Sequence, residues 1–368
     1  MGQQASREPS NGYLALMGLA PKRIPHWEHM SNPDFIGYVS GIDPYEKPRS
    51  AALKAAELYP HVGIWAPEKD DPVPRPDDGV TADETGRRRT RWGAGVTGYW
   101  DWGNRFHTME EVIAYEPLKH LDLRDGRCVE NRDYSVSEDE LFKHYGGKQD
   151  GEQPPEGEVR GAGFYNTMFM WPLLTFGWEL FLELAGGHKD DLRRLLDDFA
   201  EINRKVFRVF ARLPVNQIVC HDDICMARGP VCSPAWLREF IYPHYEEFFS
   251  ILKSRGDKRV IFMCDGNIDL VADDVKACGA DGFVSEPVTD WKAIARKYPA
   301  APIAGEGDNR ILMRNRPEEI EAMVRSMVAT AQVSAGYYMC VGNHIPWNVP
   351  PSAVKLYFDL SKELAVRP

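Results

Sequence analysis

The fold is decided by five short apolar runs in the second half of the chain. They are Gln217-Ile-Val-Cys-His221-Asp222-Asp223, Val260-Ile-Phe-Met-Cys264-Asp265-Gly266-Asn267, Gly282-Phe-Val-Ser-Glu286-Pro287, Pro302-Ile-Ala-Gly-Glu306-Gly-Asp308-Asn309 and Gly336-Tyr-Tyr-Met-Cys340-Val-Gly-Asn-His344. Each run ends in residues that bind metals or move protons, and a helix-like segment follows each. That is the pattern of parallel strands whose C-terminal ends share one site.

Helices are expected near 233–254, 268–278, 288–297, 316–333 and 351–364. Ser233-Pro234 and Pro350-Pro351-Ser352 read as helix starts. Residues 189–212 form a strong amphipathic helix, with Leu192, Leu195, Leu196, Phe199, Ile202, Val206 and Val209 at helical spacing. Residues 46–59 read as a helix, His61–Ala66 as a strand, and a further strand is expected near 161–168. Together with the five βα units these predict an α/β fold, a (β/α)8 TIM-type barrel in a single domain over 1–368. The runner-up is an open doubly wound sheet, but no glycine-rich phosphate loop follows any strand.

Outside the barrel pattern, residues 1–60 form an N-terminal arm and helices, and 67–160 an irregular insertion. Within it, Trp92-Gly-Ala-Gly-Val-Thr-Gly-Tyr-Trp-Asp-Trp102 reads as an aromatic hairpin that either packs on the core or walls a pocket. The polar stretch 145–160 reads as a linker or lid.

The 368 residues carry a formal net charge of -11. This argues against a nucleic-acid partner, which needs clustered Lys and Arg. The run Arg87-Arg88-Arg89-Thr90-Arg91 follows Asp83 and Glu84 and reads as a solvated loop. No apolar stretch approaches the ~20 residues that cross a membrane. The N-terminus lacks a secretory apolar region, while Met1-Gly2 with Ser6 fits only the minimal myristoylation pattern. Seven cysteines without a CxxC pair suggest reduced thiols and a cytoplasmic location.

At the strand ends, Cys264, Asp265, Glu286, Cys340 and His344 combine thiol, carboxylate and imidazole, the usual zinc-ligand types. A buried cysteine is, however, more often a small hydrophobe than a ligand. His221-Asp222-Asp223 is the acid–base candidate. Side chains alternate along a strand, so one aspartate faces inward and the other caps a loop, with Arg228-Gly-Pro as the expected target. His26 and His29 are a weaker candidate metal pair.

These residues carry a resemblance. Ile224-Cys-Met-Ala-Arg-Gly-Pro-Val-Cys-Ser-Pro-Ala-Trp-Leu-Arg-Glu-Phe-Ile-Tyr-Pro-His-Tyr245, Met263-Cys-Asp-Gly-Asn-Ile268 and Gly342-Asn-His-Ile-Pro-Trp-Asn-Val-Pro350 are similar to the uroporphyrinogen decarboxylase superfamily. That superfamily has the (β/α)8 fold. Its decarboxylases carry an arginine-rich N-terminal motif, but Lys22-Arg-Ile-Pro-His-Trp-Glu-His-Met30 has only Arg23. The resemblance therefore points to the cobalamin-dependent methyltransferase branch, of the O-demethylase type.

The zinc motif of that branch, His-x-Cys before Gly-Asn, reads here as Met263-Cys264-Asp265. Glu286 matches a later acidic ligand, and the late Cys falls on Asn343, beside Cys340 and His344. The implied metal set is Asp265, Glu286, Cys340 and His344, an oxygen-rich site suited to an ether oxygen. Catalytic roles fall to His221, Asp222 and Asp223. Trp100, Trp102, Trp347, Asn267 and Asn343 are the implied substrate residues, with Trp92 and Tyr99 beside them. Zinc is the implied metal, and cobalamin would arrive on a separate corrinoid protein. The other implied partner is a small methyl donor, a methoxylated aromatic; apart from the resemblance, the aromatic-rich loops would suit a homodimer interface. The alternatives are a metal-free decarboxylase or lyase using Asp222 or Asp223, and a non-catalytic binding barrel.

Overall fold

The computed structural model describes residues 8–73, 75, 81–82, 88–92, 95–97, 105–124, 132–146, 157–165 and 167–368. Its chain contacts divide into two compact units. One comprises Met1–Glu8 and Asp101–Phe283, the other Pro9–Trp100 and Val284–Pro368.

The first unit is built on a parallel sheet. Strand β1 (Gly161–Phe164) pairs in parallel with β2 (Gln217–His221), and β2 pairs in parallel with β3 (Arg259–Met263). β4 (Gly282–Val284), at whose end the unit closes, lies next to β3. Helix α1 (Lys189–Arg212) links β1 to β2, and its seven periodic apolar residues are all buried. Each such side chain contributes about 1.5–3 kcal/mol relative to exposure, which fixes the helix on the sheet. α2 (Tyr242–Lys253) and α3 (Ala272–Ala277) fill the next two connections. The predicted helix over 233–254 is two, because Pro234–Phe240 ends before Pro243 enters the first turn of α2. Ser233 caps the earlier one by accepting from the Trp236 N–H at 3.2 Å.

In the second unit the rows are again parallel. Ile303 pairs with Tyr337, Gly307 with Val341, and His26 with Met339, while Met30–Ser31 runs beside Ile345–Pro346. Helices α4 (Trp291–Lys297), α5 (Pro317–Ala331) and α6 (Pro351–Leu364) alternate with these rows. Here the strands are short: 303–304 is the only regular piece of its run, and 336–344 is held by single bridges.

The strand expected at His61–Ala66 does not form. Gly63 sits at φ +75° in the left-handed region, which interrupts an extended run, and Trp65 is 77% exposed. The chain at Arg88–Trp92 pairs antiparallel with Thr81–Ala82 and with Gly95–Thr97, as a hairpin should. Trp100, Trp102, Tyr99, the myristoylation pattern and most of the expected lid lie outside the described residues. Among the described residues, no helix is long and apolar enough to cross a membrane.

Candidate active site

The site is assembled at the end of β2. Alternation sends His221 and Asp223 to one side and Asp222 to the other. Asp222 is fully buried. Its carboxylate accepts from the backbone N–H groups of Met168 (2.9 Å), Phe169 (2.9 Å) and Met170 (2.6 Å), and from the Tyr245 hydroxyl (2.6 Å). The three amides belong to the turn that opens helix Met170–Phe176, where a carboxylate meets otherwise unpaired N–H groups. Burial raises Asp222 to about 6, against the pull of Tyr245 and of the Phe169 and Met170 amides. A carboxylate with both oxygens occupied and no exposure holds structure. The capping role expected of one aspartate is thus real, but its target is 168–170 rather than Arg228-Gly-Pro.

Asp223 faces the other way. Its Oδ1 lies 3.0 Å from His221 Nε2 and accepts the Asp265 N–H at 2.8 Å, while its Oδ2 takes the Tyr165 hydroxyl at 3.4 Å. The Tyr165 ring meets the imidazole edge-on at 4.2 Å between centroids. Side-chain exposures of 17% for His221 and 16% for Asp223 leave both within reach of a ligand. Burial opposes the charge on His221, but Asp223, with Asp265 and Asp222 beyond it, outweighs this and raises the imidazole. Burial would raise Asp223, but His221 and the donors from Asp265 and Tyr165 hold it below the usual carboxylate range. Tyr165 moves up, through burial and then Asp223, so it stays a phenol and a donor.

Asp265 joins from the end of β3. One ligand atom each from His221, Asp223 and Asp265 lies within 4.8 Å of the others, the only such His/Cys/Asp/Glu group among the described residues. The loop that carries Asp265 is held by a close approach. Gly266 has φ +90°, and a Cβ there would stand 2.5 Å from the Met226 carbonyl carbon. The Asn267 N–H completes the contact by donating to Met226 O at 3.0 Å. The Asn267 side chain accepts from Asp269 N–H at 2.8 Å, turning it to loop closure.

Cys264 is fully buried, and its Sγ donates to the Asp265 carbonyl at 3.2 Å. In the second unit Cys340 is buried likewise, with its Sγ on the Val341 carbonyl at 3.2 Å. Burial pushes both thiols well up. His344 Nδ1 lies 2.5 Å from Asn343 Oδ1, and burial with His29 nearby lowers the imidazole to about 4. Glu286 takes the Trp291 indole N–H on its backbone carbonyl at 3.0 Å. Trp347 is half-buried just after the Ile345–Pro346 strand. The His26 side chain is buried, with Nδ1 3.1 Å from Glu28 Oε1.

The sequence reading grouped His221 and Asp223 as catalytic residues, assigned Asp265 to a separate metal set and did not name Tyr165. The alternation of His221 and Asp223 was the signal that they share a face. Tyr165 follows the fourth residue of β1, one strand over from β2, and register alone would have put it there.

A parallel α/β protein with reactive side chains at its strand ends is the class defined so far. The uroporphyrinogen decarboxylase family model matches residues 173–364, a little over half of the chain, and the chain belongs to that family. No curated protein sequence matches it. Among solved structures it is similar to a methyltransferase from Methanosarcina mazei, with a TM-score of 0.60 and 16% identity over 97% of this chain and 99% of that one. At that identity the likeness establishes a shared fold.

Proposed function

We propose that the chain is a methyltransferase that moves a methyl group from a methoxylated aromatic substrate to a corrinoid protein, in the cytoplasm. The observation that carries this reading is the near full-length fold shared with a methyltransferase, within the uroporphyrinogen decarboxylase family. The same support extends to a closed (β/α)8 barrel, whose parallel rows are present in each unit.

In the reaction the O–CH3 bond breaks with its electron pair going to oxygen. The cobalt(I) centre of the partner's corrinoid supplies the pair that forms the new Co–C bond. Alkoxides and phenoxides leave poorly without help, so the enzyme must take charge of that oxygen. In this reading His221 and Asp223 take that role, supported by their being accessible, paired, and held by Tyr165 and the Asp265 amide. Asp222 contributes by fixing the backbone from which both project.

The decarboxylase alternative is less well supported. Arg23, the one arginine in the segment where the family's decarboxylases grip substrate carboxylates, donates to the Lys362 carbonyl at 2.8 Å.

The test is spectroscopic. The protein is mixed with reduced corrinoid protein and a panel of methoxyarenes. Formation of methylcobalamin with at least one donor is expected, and its absence across the panel sinks the proposal.

A further inference from the structure

The geometry points to a divalent transition-metal site made by His221, Asp223 and Asp265, with no thiolate among its ligands. It deepens the reading above by naming what takes charge of the substrate oxygen, but the site itself stands on the arrangement of ligand atoms.

Nitrogen and oxygen ligands sit about 2.0–2.2 Å from zinc, so atoms that share one ion lie roughly 3–4 Å apart. The three candidate atoms here are within 4.8 Å of one another, and the His221–Asp223 pair is already at 3.0 Å. Two independent features point to the same place. The Asp265 amide donates to Asp223 at 2.8 Å, so the backbone itself draws two carboxylates together. Tyr165 then braces the ligands, with its hydroxyl on Asp223 Oδ2 and its ring edge-on to the imidazole. Such outer partners hold ligand orientation in metal sites.

The donor set selects the ion. One imidazole and two carboxylates suit Zn²⁺ or Mn²⁺ and disfavour soft Cu(I). Cys264, adjacent in sequence, turns its sulfur to a backbone carbonyl and stays out. Three protein ligands leave coordination positions open, the mark of a catalytic rather than a structural site. A bound ion would supply Lewis acidity toward the substrate's oxygen. This assignment keeps Asp265 from the set expected from sequence and gives it His221 and Asp223 as partners, in place of Glu286, Cys340 and His344.

The experiment is calorimetric titration of metal-stripped protein with Zn²⁺ and, separately, with Mn²⁺, the latter also followed by electron paramagnetic resonance. Wild type is expected to take up one ion. Asp223→Asn and Asp265→Asn should each weaken binding by at least the roughly 10–100-fold that loss of even an outer partner costs, with circular dichroism unchanged. Cys340→Ser should bind as wild type does. Asp265→Asn carries the test alone if Asp223→Asn does not fold. Wild-type affinity in the aspartate variants overturns the site, as does failure of wild type to bind either ion. Ion binding without methyl transfer would overturn the proposed function and leave the site standing.

Discussion

Carboxylates close the strand-end runs in both units, yet they meet different surroundings. In the second unit Glu306 accepts from Thr330 at 3.0 Å, Ser326 at 3.3 Å and Tyr337 at 2.8 Å, the first two on α5. Glu28, 1% exposed, takes the Tyr357 hydroxyl of α6 at 2.7 Å and the Val341 amide at 3.1 Å. These acids are bonded back into their own helices and strands. In the first unit Asp222 is used in the same way, but Asp223, one residue later, remains accessible and pairs with an imidazole. Residue type does not separate anchor from reactive group. The direction in which the strand turns the side chain does, together with whether a helix or turn supplies the donors.

The comparison is broken most directly at the neighbouring aspartates. Asp222→Ala strips three backbone amides of their acceptor in a dry environment, and a loss of about 3–5 kcal/mol in unfolding free energy is expected by urea denaturation. Asp223→Asn should cost less than half as much while abolishing methyl transfer. Equal stability losses would erase the division between anchor and reactive carboxylate.

Next in size is Gly266→Ala. It forces a methyl group into the Met226 backbone at positive φ, and should cost about 2–3 kcal/mol and lower metal affinity through Asp265.

A pH effect follows in the second unit. Burial, then the neighbouring His26, lowers His61 from 6.5 to about 4. Folding therefore favours neutral His61, and the unfolded chain takes up the proton first. Stability is full above pH 6.5 and falls as pH drops through 6.5 toward 4, by about 1–2 kcal/mol once partial solvent exposure is allowed for. His61→Gln should flatten that part of the stability–pH curve, and an unchanged curve would refute the assignment. The smallest effect belongs to Glu306→Gln. Its hydroxyl partners can rotate to suit an amide, so about 1 kcal/mol is expected, with ion binding unaltered.

Much of the fold was legible because its signals are local. The periodicity of 189–212 gave α1 to the residue, and Ser233-Pro234 marked a helix start that the structure keeps. The strand at 61–66 was misread because its apolar pattern outweighed Gly63, whose left-handed backbone only the fold reveals. At the site, alternation along β2 separated Asp222 from Asp223 correctly. What alternation could not supply was the identity of the partners. The amides of 168–170 lie more than 50 residues away in sequence from the aspartate they bind, and no spacing rule links them. Tyr165 reaches the site through the register of β1 against β2, again information that belongs to the sheet.

The close packing of Gly266 on Met226 has a consequence for variation. The backbone contact tolerates no side chain, yet the Met226 side chain is 57% exposed and Leu270, just past the loop, is 65% exposed. A saturation library across 225–270 should therefore return glycine almost alone at 266, beside wide freedom at 226 and 270. The residues that position Asp265 thus stay fixed while their exposed neighbours vary.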